Sequence, residues 1–107
     1  MPNIESLFVT RLYHASLFDF AKSLDIGELN SACLSIAEDD SAGQKWCEKH
    51  GYSGYTSYAS LTDLPWRFTI FEHLVNVLNR HVTSFSKDLQ FDLKGKKINL
   101  DSFWINV

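Results

Sequence analysis

Few of the features that announce a function are present in these 107 residues. No apolar run approaches the roughly 18–20 residues that a membrane-spanning helix needs, so no membrane partner is expected. The opening Met1-Pro2-Asn3-Ile4-Glu5-Ser6 has neither a basic region nor an apolar stretch, which argues against a secretory signal and for a cytoplasmic protein. Basic residues are not in excess: 10 Lys and Arg stand against 13 Asp and Glu, a net charge of −3. Their one cluster is Lys94, Lys96 and Lys97 around Gly95. Counterion release needs several cations on one face, so nucleic-acid binding is not expected. The only cysteines, Cys33 and Cys47, form no C-x-x-C, and Cys33 falls in an apolar helical stripe; both read as buried, reduced thiols. Repeats, low-complexity tracts and linkers are missing as well, which leaves a single domain over 1–107.

Catalytic signatures are equally scarce. His14, His50, His73 and His81 fall into no H-x-H, H-x-D or H-E-x-x-H pattern. His73 and His81 lie two helical turns apart, about 12 Å of rise, too far for one ion unless other elements converge on it. There is no G-x-S-x-G, and neither cysteine has a local base. Gly51-Tyr52-Ser53-Gly54 lacks the Gly-Lys-Ser/Thr of a phosphate loop. Glu38, Asp39 and Asp40 read as a solvated helix end leading into an N-cap rather than as paired acid–base catalysts.

Aromatic side chains are what the sequence does have: eight Phe, three Trp and four Tyr, 14% of the chain. So many rings in a small interior suggest a surface that expects a neighbour, although one core can absorb most of them. Leu7-Phe8-Val9-Thr10-Arg11-Leu12-Tyr13 is short and rich in β-formers, and predicts a strand. Behind Asp25, a plausible N-cap, Ile26, Leu29, Cys33 and Ile36 recur on one helical face that should end near Glu38–Asp40. A second short helix carries Trp46 and stops at Gly51. Phe71, Leu74, Val75, Leu78, Val82, Phe85 and Leu89 then define a continuous apolar stripe over five turns of a long amphipathic helix. Beyond the turn signal Lys94-Gly95-Lys96, residues 98–107 alternate as a strand, with Ile98, Leu100, Ser102, Trp104 and Asn106 on one face. The predicted fold class is therefore α+β.

Two stretches are candidates for function. Gly51–Ser60 has no helical period and is rich in phenols and hydroxyls that suit a small polar ligand, or its tyrosines pack on the long helix as a structured turn. In the final strand, Trp104 and Asn106 share a face, and a buried Asn106 amide needs a hydrogen-bond partner. Either that face lines a cavity or the amide bonds neighbouring backbone.

Taken together, Phe8-Val9-Thr10-Arg11-Leu12-Tyr13, Gly51-Tyr52-Ser53-Gly54-Tyr55-Thr56-Ser57-Tyr58-Ala59-Ser60-Leu61 and Asp63-Leu64-Pro65 resemble a family of Fe(II)/2-oxoglutarate-dependent oxygenases of bacteria and phages. His81-Val82 with Phe85, Phe91-Asp92-Leu93 and Leu100-Asp101-Ser102-Phe103-Trp104-Ile105-Asn106-Val107 extend the resemblance in the same order. It implies the helical support and first strands of a double-stranded β-helix (jelly roll). In that family a Pro-Gly turn and then the histidine-containing iron motif follow the Trp-Ile-Asn-Val strand, and the 2-His-1-carboxylate triad lies in that later part. This chain ends at Val107, so no catalytic or metal-binding residue carries over. The expectation is an N-terminal oxygenase segment, inactive alone and binding neither Fe(II) nor 2-oxoglutarate, the cofactors implied for the full-length family. Trp104, Asn106, Tyr55, Ser57 and Tyr58 are its candidate cavity-lining residues. The alternative is a free-standing binding or assembly module that self-associates through the long helix or the terminal strand.

Overall fold

A computed structural model of the chain describes residues 2–5, 7–20, 24–90 and 93–107. Helix α1 spans Ile26–Asp39, and its start is set by Asp25, whose side chain accepts the Glu28 N–H at 3.0 Å. Ala32 and Ile36 are buried on its inner face, with Leu29 and Cys33 packed beside them. Asp40 then caps the next helix, α2 (Ser41–Lys49), by accepting the Gly43 N–H at 3.1 Å. One residue thus ends a helix and begins another, which makes the α1–α2 corner tight. Gly43 and Cys47 form the buried side of α2, and Gly51, with φ of 65°, takes the chain out of it.

The single turn α3 (Leu64–Arg67) holds Pro65 in its first two positions, where a missing N–H costs nothing. Leu64 is fully buried. Phe68 is extended, and the chain re-enters helix as α4 (Thr69–Asp88), which ends where Gln90 adopts a left-handed φ of 59°. The apolar stripe lies rotated from its predicted axis. Ile70, Val77 and His81 are buried and Leu74 half-buried, at spacings of four, three and four, whereas Val82 from the predicted stripe is exposed. Two neighbours account for the rotation. The core around α1 and α3 covers the first half of α4, and Tyr13 and Phe20 cover His81 in the second half.

The core joins Leu24, Ala32, Ile36, Tyr55, Leu64, Ile70, Phe71 and Ile105. Phe71 lies at its centre, edge-on to Phe68 and Phe103 with ring centroids 5.7 and 5.6 Å away. Its complete burial contributes about 2–3 kcal/mol of apolar transfer. No helix among the described residues is long and apolar enough to cross a membrane.

The α+β expectation is overturned: the fold is helical, and among the described residues there is no strand. Residues 7–13 carry no regular structure; Phe8 is 97% exposed, and Leu7, Val9 and Leu12 face solvent too. Residues 98–104 also lack regular structure, and the end of the predicted strand forms only an isolated antiparallel bridge, between Asn106 and Thr56, among the described residues. Both stretches have β-forming composition, but such propensity reports fit to a half-buried ladder, and only residues 55–57 offer a backbone to pair with. The Lys94-Gly95 turn lies where it was expected, with φ of 52° and 78° and the Lys96 N–H donating to the Leu93 carbonyl at 2.9 Å. Phe91 and Asp92, part of the family resemblance, lie outside the described residues.

Candidate functional site

The tyrosine loop and the terminal segment, far apart in sequence, meet in the fold. Tyr55 exchanges two backbone hydrogen bonds with Val107, each 2.9 Å, and the Ser57 N–H donates to the Ile105 carbonyl at 3.0 Å. Gly54 is required beside this pairing. Its φ is 104°, and a Cβ there would stand 2.8 Å from the Val107 carbonyl oxygen.

Ser57 completes the pairing in an unusual way. In a regular ladder the Ile105 N–H would donate to the Ser57 carbonyl. That carbonyl instead accepts the N–H groups of Ser60 and Leu61, at 3.2 and 3.0 Å, and closes a turn. The Ser57 hydroxyl takes its place and accepts the Ile105 N–H at 2.9 Å. Ser57 is fully buried, so the exchange leaves no amide unpaired in the interior.

Tyr55 turns inward. Its hydroxyl donates to Asp40 Oδ2 at 2.7 Å, and the Ser60 hydroxyl donates to the same oxygen at 2.5 Å. Asp40 therefore caps α2 with one oxygen and anchors the loop with the other. Burial alone would raise its carboxyl, but the hydrogen bonds from Ser60, Tyr55 and Gly43, with the charge of Arg67 nearby, hold it below the usual value. Burial, the bond to Asp40 and the Asp40 charge push the Tyr55 phenol well above its ordinary range. Thr56, between Tyr55 and Ser57, is buried with Cys47 Sγ 3.4 Å from its N–H.

The remaining candidates turn outward. Asn106 is exposed, and its Oδ1 accepts the Tyr52 hydroxyl at 3.4 Å. Tyr58 and Trp104, 63% and 47% exposed, meet at 5.2 Å between ring centroids with planes 74° apart. They line a cleft of about 130 Å³ together with Leu61, Thr62, Asp101, Ser102 and Phe103. Of the five predicted cavity-lining residues, then, Tyr58 and Trp104 share a cleft, Tyr55 and Ser57 hold the scaffold, and Asn106 lies beside Tyr52.

A second cleft of about 300 Å³ adjoins the Asp40 corner and is lined by Ile36, Asp39, Asp40, Leu61, Arg67 and Phe68 among others. Arg67 is already paired with Asp63 at 2.7 Å. Asp40 is the residue that sequence reasoning undervalued: an N-cap was legible there, but its bonds to Tyr55 and Ser60 span 15 and 20 positions.

The histidines do not assemble an iron site. His50 Nδ1 lies 2.9 Å from the Trp46 carbonyl, which makes it the protonated ring nitrogen, and the ring stacks on Trp46. His81 is bonded to Tyr13 at 2.6 Å, while His14 and His73 are exposed. Among the described residues no three His, Cys, Asp or Glu side chains are grouped to hold a metal ion. No protein-family model matches the sequence, and no significant match is found among curated proteins.

Proposed function

We propose that this chain is the N-terminal, non-catalytic portion of a cytoplasmic Fe(II)/2-oxoglutarate-dependent oxygenase, a scaffold whose metal ligands lie elsewhere. The observation that carries this reading is the pairing of Tyr55–Ser57 with Ile105–Val107. These belong to two of the stretches that resemble the oxygenase family, and a packed core holds them side by side. No chemical step is assigned to the chain, since its histidines do not converge.

One observation favours the second reading, a self-associating assembly module. The radius of gyration is 18.6 Å, against about 13 Å for a compact domain of this length. Ile4, Leu7, Phe8, Val9 and Leu12 are all exposed along residues 4–12. Such surface is what a partner chain would cover.

The test is aerobic, Fe(II)-dependent conversion of 2-oxoglutarate to succinate, with solution mass measured on the same sample. The scaffold reading expects no turnover and no defined oligomer. A cooperatively folding dimer without turnover would transfer the assignment to the assembly module. Iron-dependent turnover by these residues would overturn both readings, because His14, His50, His73 or His81 would then have to supply ligands.

A further inference from the structure

The geometry points to a binding site for a methylated ammonium group in the cleft lined by Tyr58 and Trp104. The two rings meet edge to face, with centroids 5.2 Å and planes 74° apart, so the group rests in the outer angle of the pair and not between the rings. Phe103 and Leu61 add apolar surface to the same cleft. Among its lining residues the one formal charge is that of Asp101, whose carboxylate accepts a hydrogen bond from the Ser102 hydroxyl at 3.1 Å. No lysine or arginine lines the cleft.

Aromatic faces are negative at their centres and attract cations, most strongly when the ring is an indole. A carboxylate at the edge adds attraction of the same sign, so cations are favoured and anions repelled. A methylated ammonium has carbon on its outside and few or no N–H groups to satisfy, which suits walls of aromatic and aliphatic carbon. A primary ammonium would lose water from its N–H groups against those walls. Size narrows the ligand further. At about 130 Å³ the cleft falls below the roughly 300 Å³ where pockets for whole small molecules begin, so it takes a head group. Both rings are partly exposed, which leaves the site open to solvent and limits its affinity to about the millimolar range.

This site is independent of the oxygenase reading, since it needs neither iron nor turnover. The experiment is an NMR titration of the full chain with choline, following the Trp104 indole N–H and the Thr62 and Ser102 amides. Ethanolamine and 3,3-dimethylbutanol, the uncharged isostere of choline, serve as comparison ligands. Choline should saturate these shifts and bind about tenfold more tightly than either. Trp104→Ala should weaken choline about tenfold, and Asp101→Asn several-fold, with the thermal midpoint nearly unchanged because both side chains are exposed. Tyr58→Ala, read on the Trp104 indole, gives an independent check. Co-sedimentation with phosphatidylcholine vesicles would identify the source as a lipid head group, and its absence a free quaternary amine. Equal binding of choline and the isostere, equal binding of ethanolamine, or choline binding unchanged in all three variants would overturn the proposal.

Discussion

The Tyr13 hydroxyl and His81 Nδ1 are 2.6 Å apart, a bond that ties the irregular N-terminal stretch to α4. His81 is buried between the Tyr13 and Phe20 rings, and its Nε2 has no hydrogen-bond partner among the described residues. Among the described residues Tyr13 is thus the one polar partner of a buried ring.

Tyr13→Phe keeps the ring packing against His81 and Phe85 but leaves both imidazole nitrogens unpaired. The expected loss is about 1–3 kcal/mol in urea unfolding. Replacing both partners, as Tyr13→Phe with His81→Leu, should recover much of that loss, because no buried polar group is then left over. If the double variant is as unstable as the single one, the bond is not the source of the effect.

Ser57→Ala removes the acceptor of the Ile105 N–H, and the Ser57 carbonyl cannot replace it while it holds the turn to Ser60 and Leu61. A loss of about 1–3 kcal/mol is expected in thermal unfolding. Amide exchange at Ile105 should accelerate, with little change along α4. Uniform acceleration across the chain would mean that the segment does not open separately.

Gly43→Ala puts a methyl group against the Asp40 carboxylate, with Ser60 Oγ at 2.7 Å and Tyr55 Cε2 at 2.9 Å. Helix propensity favours alanine by about 1 kcal/mol, but overpacking at this corner should cost about 1–3 kcal/mol and disturb the loop anchor. The variant is therefore expected to melt lower than the parent protein. A rise in melting temperature would mean that the corner yields without cost.

Stability should fall at both ends of the pH scale as Asp40 and Tyr55 titrate. The Asp40 carboxyl is held below its ordinary value in the fold, so its stabilisation is complete above about pH 4 and is lost as pH drops through the lower, folded value. The Tyr55 phenol is raised, so its contribution is complete below about pH 10 and declines as pH climbs from there towards the folded value. Tyr55→Phe should flatten the alkaline limb of a stability–pH profile, and Asp40→Asn should flatten the acid limb. Unchanged limbs in both variants would remove Asp40 and Tyr55 as the titrating pair.

Helices were legible where a local rule decides them. Asp25 ahead of an apolar period and Lys94-Gly95 at a turn act within a few residues, and both hold in the fold. Residues 7–13 and 98–104 failed because a strand is a contract with a partner, and composition does not show whether one runs alongside. The rotation of the α4 stripe towards His81 was invisible for the same reason: Tyr13, which covers it, is 68 positions away. Tyr55, Ser57, Tyr58, Trp104 and Asn106 were recognisable as a set, yet only contacts across about 50 residues separate the anchors from the exposed rings.

Cys47 gives the docked loop a built-in chemical clock. Its Sγ is 3.4 Å from the Thr56 nitrogen and 3.9 Å from the Thr56 carbonyl oxygen, buried beneath the residue that bridges Asn106, whereas Cys33 is only half-buried on α1. An alkylating reagent therefore meets two thiols that differ in access. Cys33 should be consumed first. The slower consumption of Cys47 then counts the moments at which Thr56 lifts away, turning one covalent reaction into a record of how often the loop lets go.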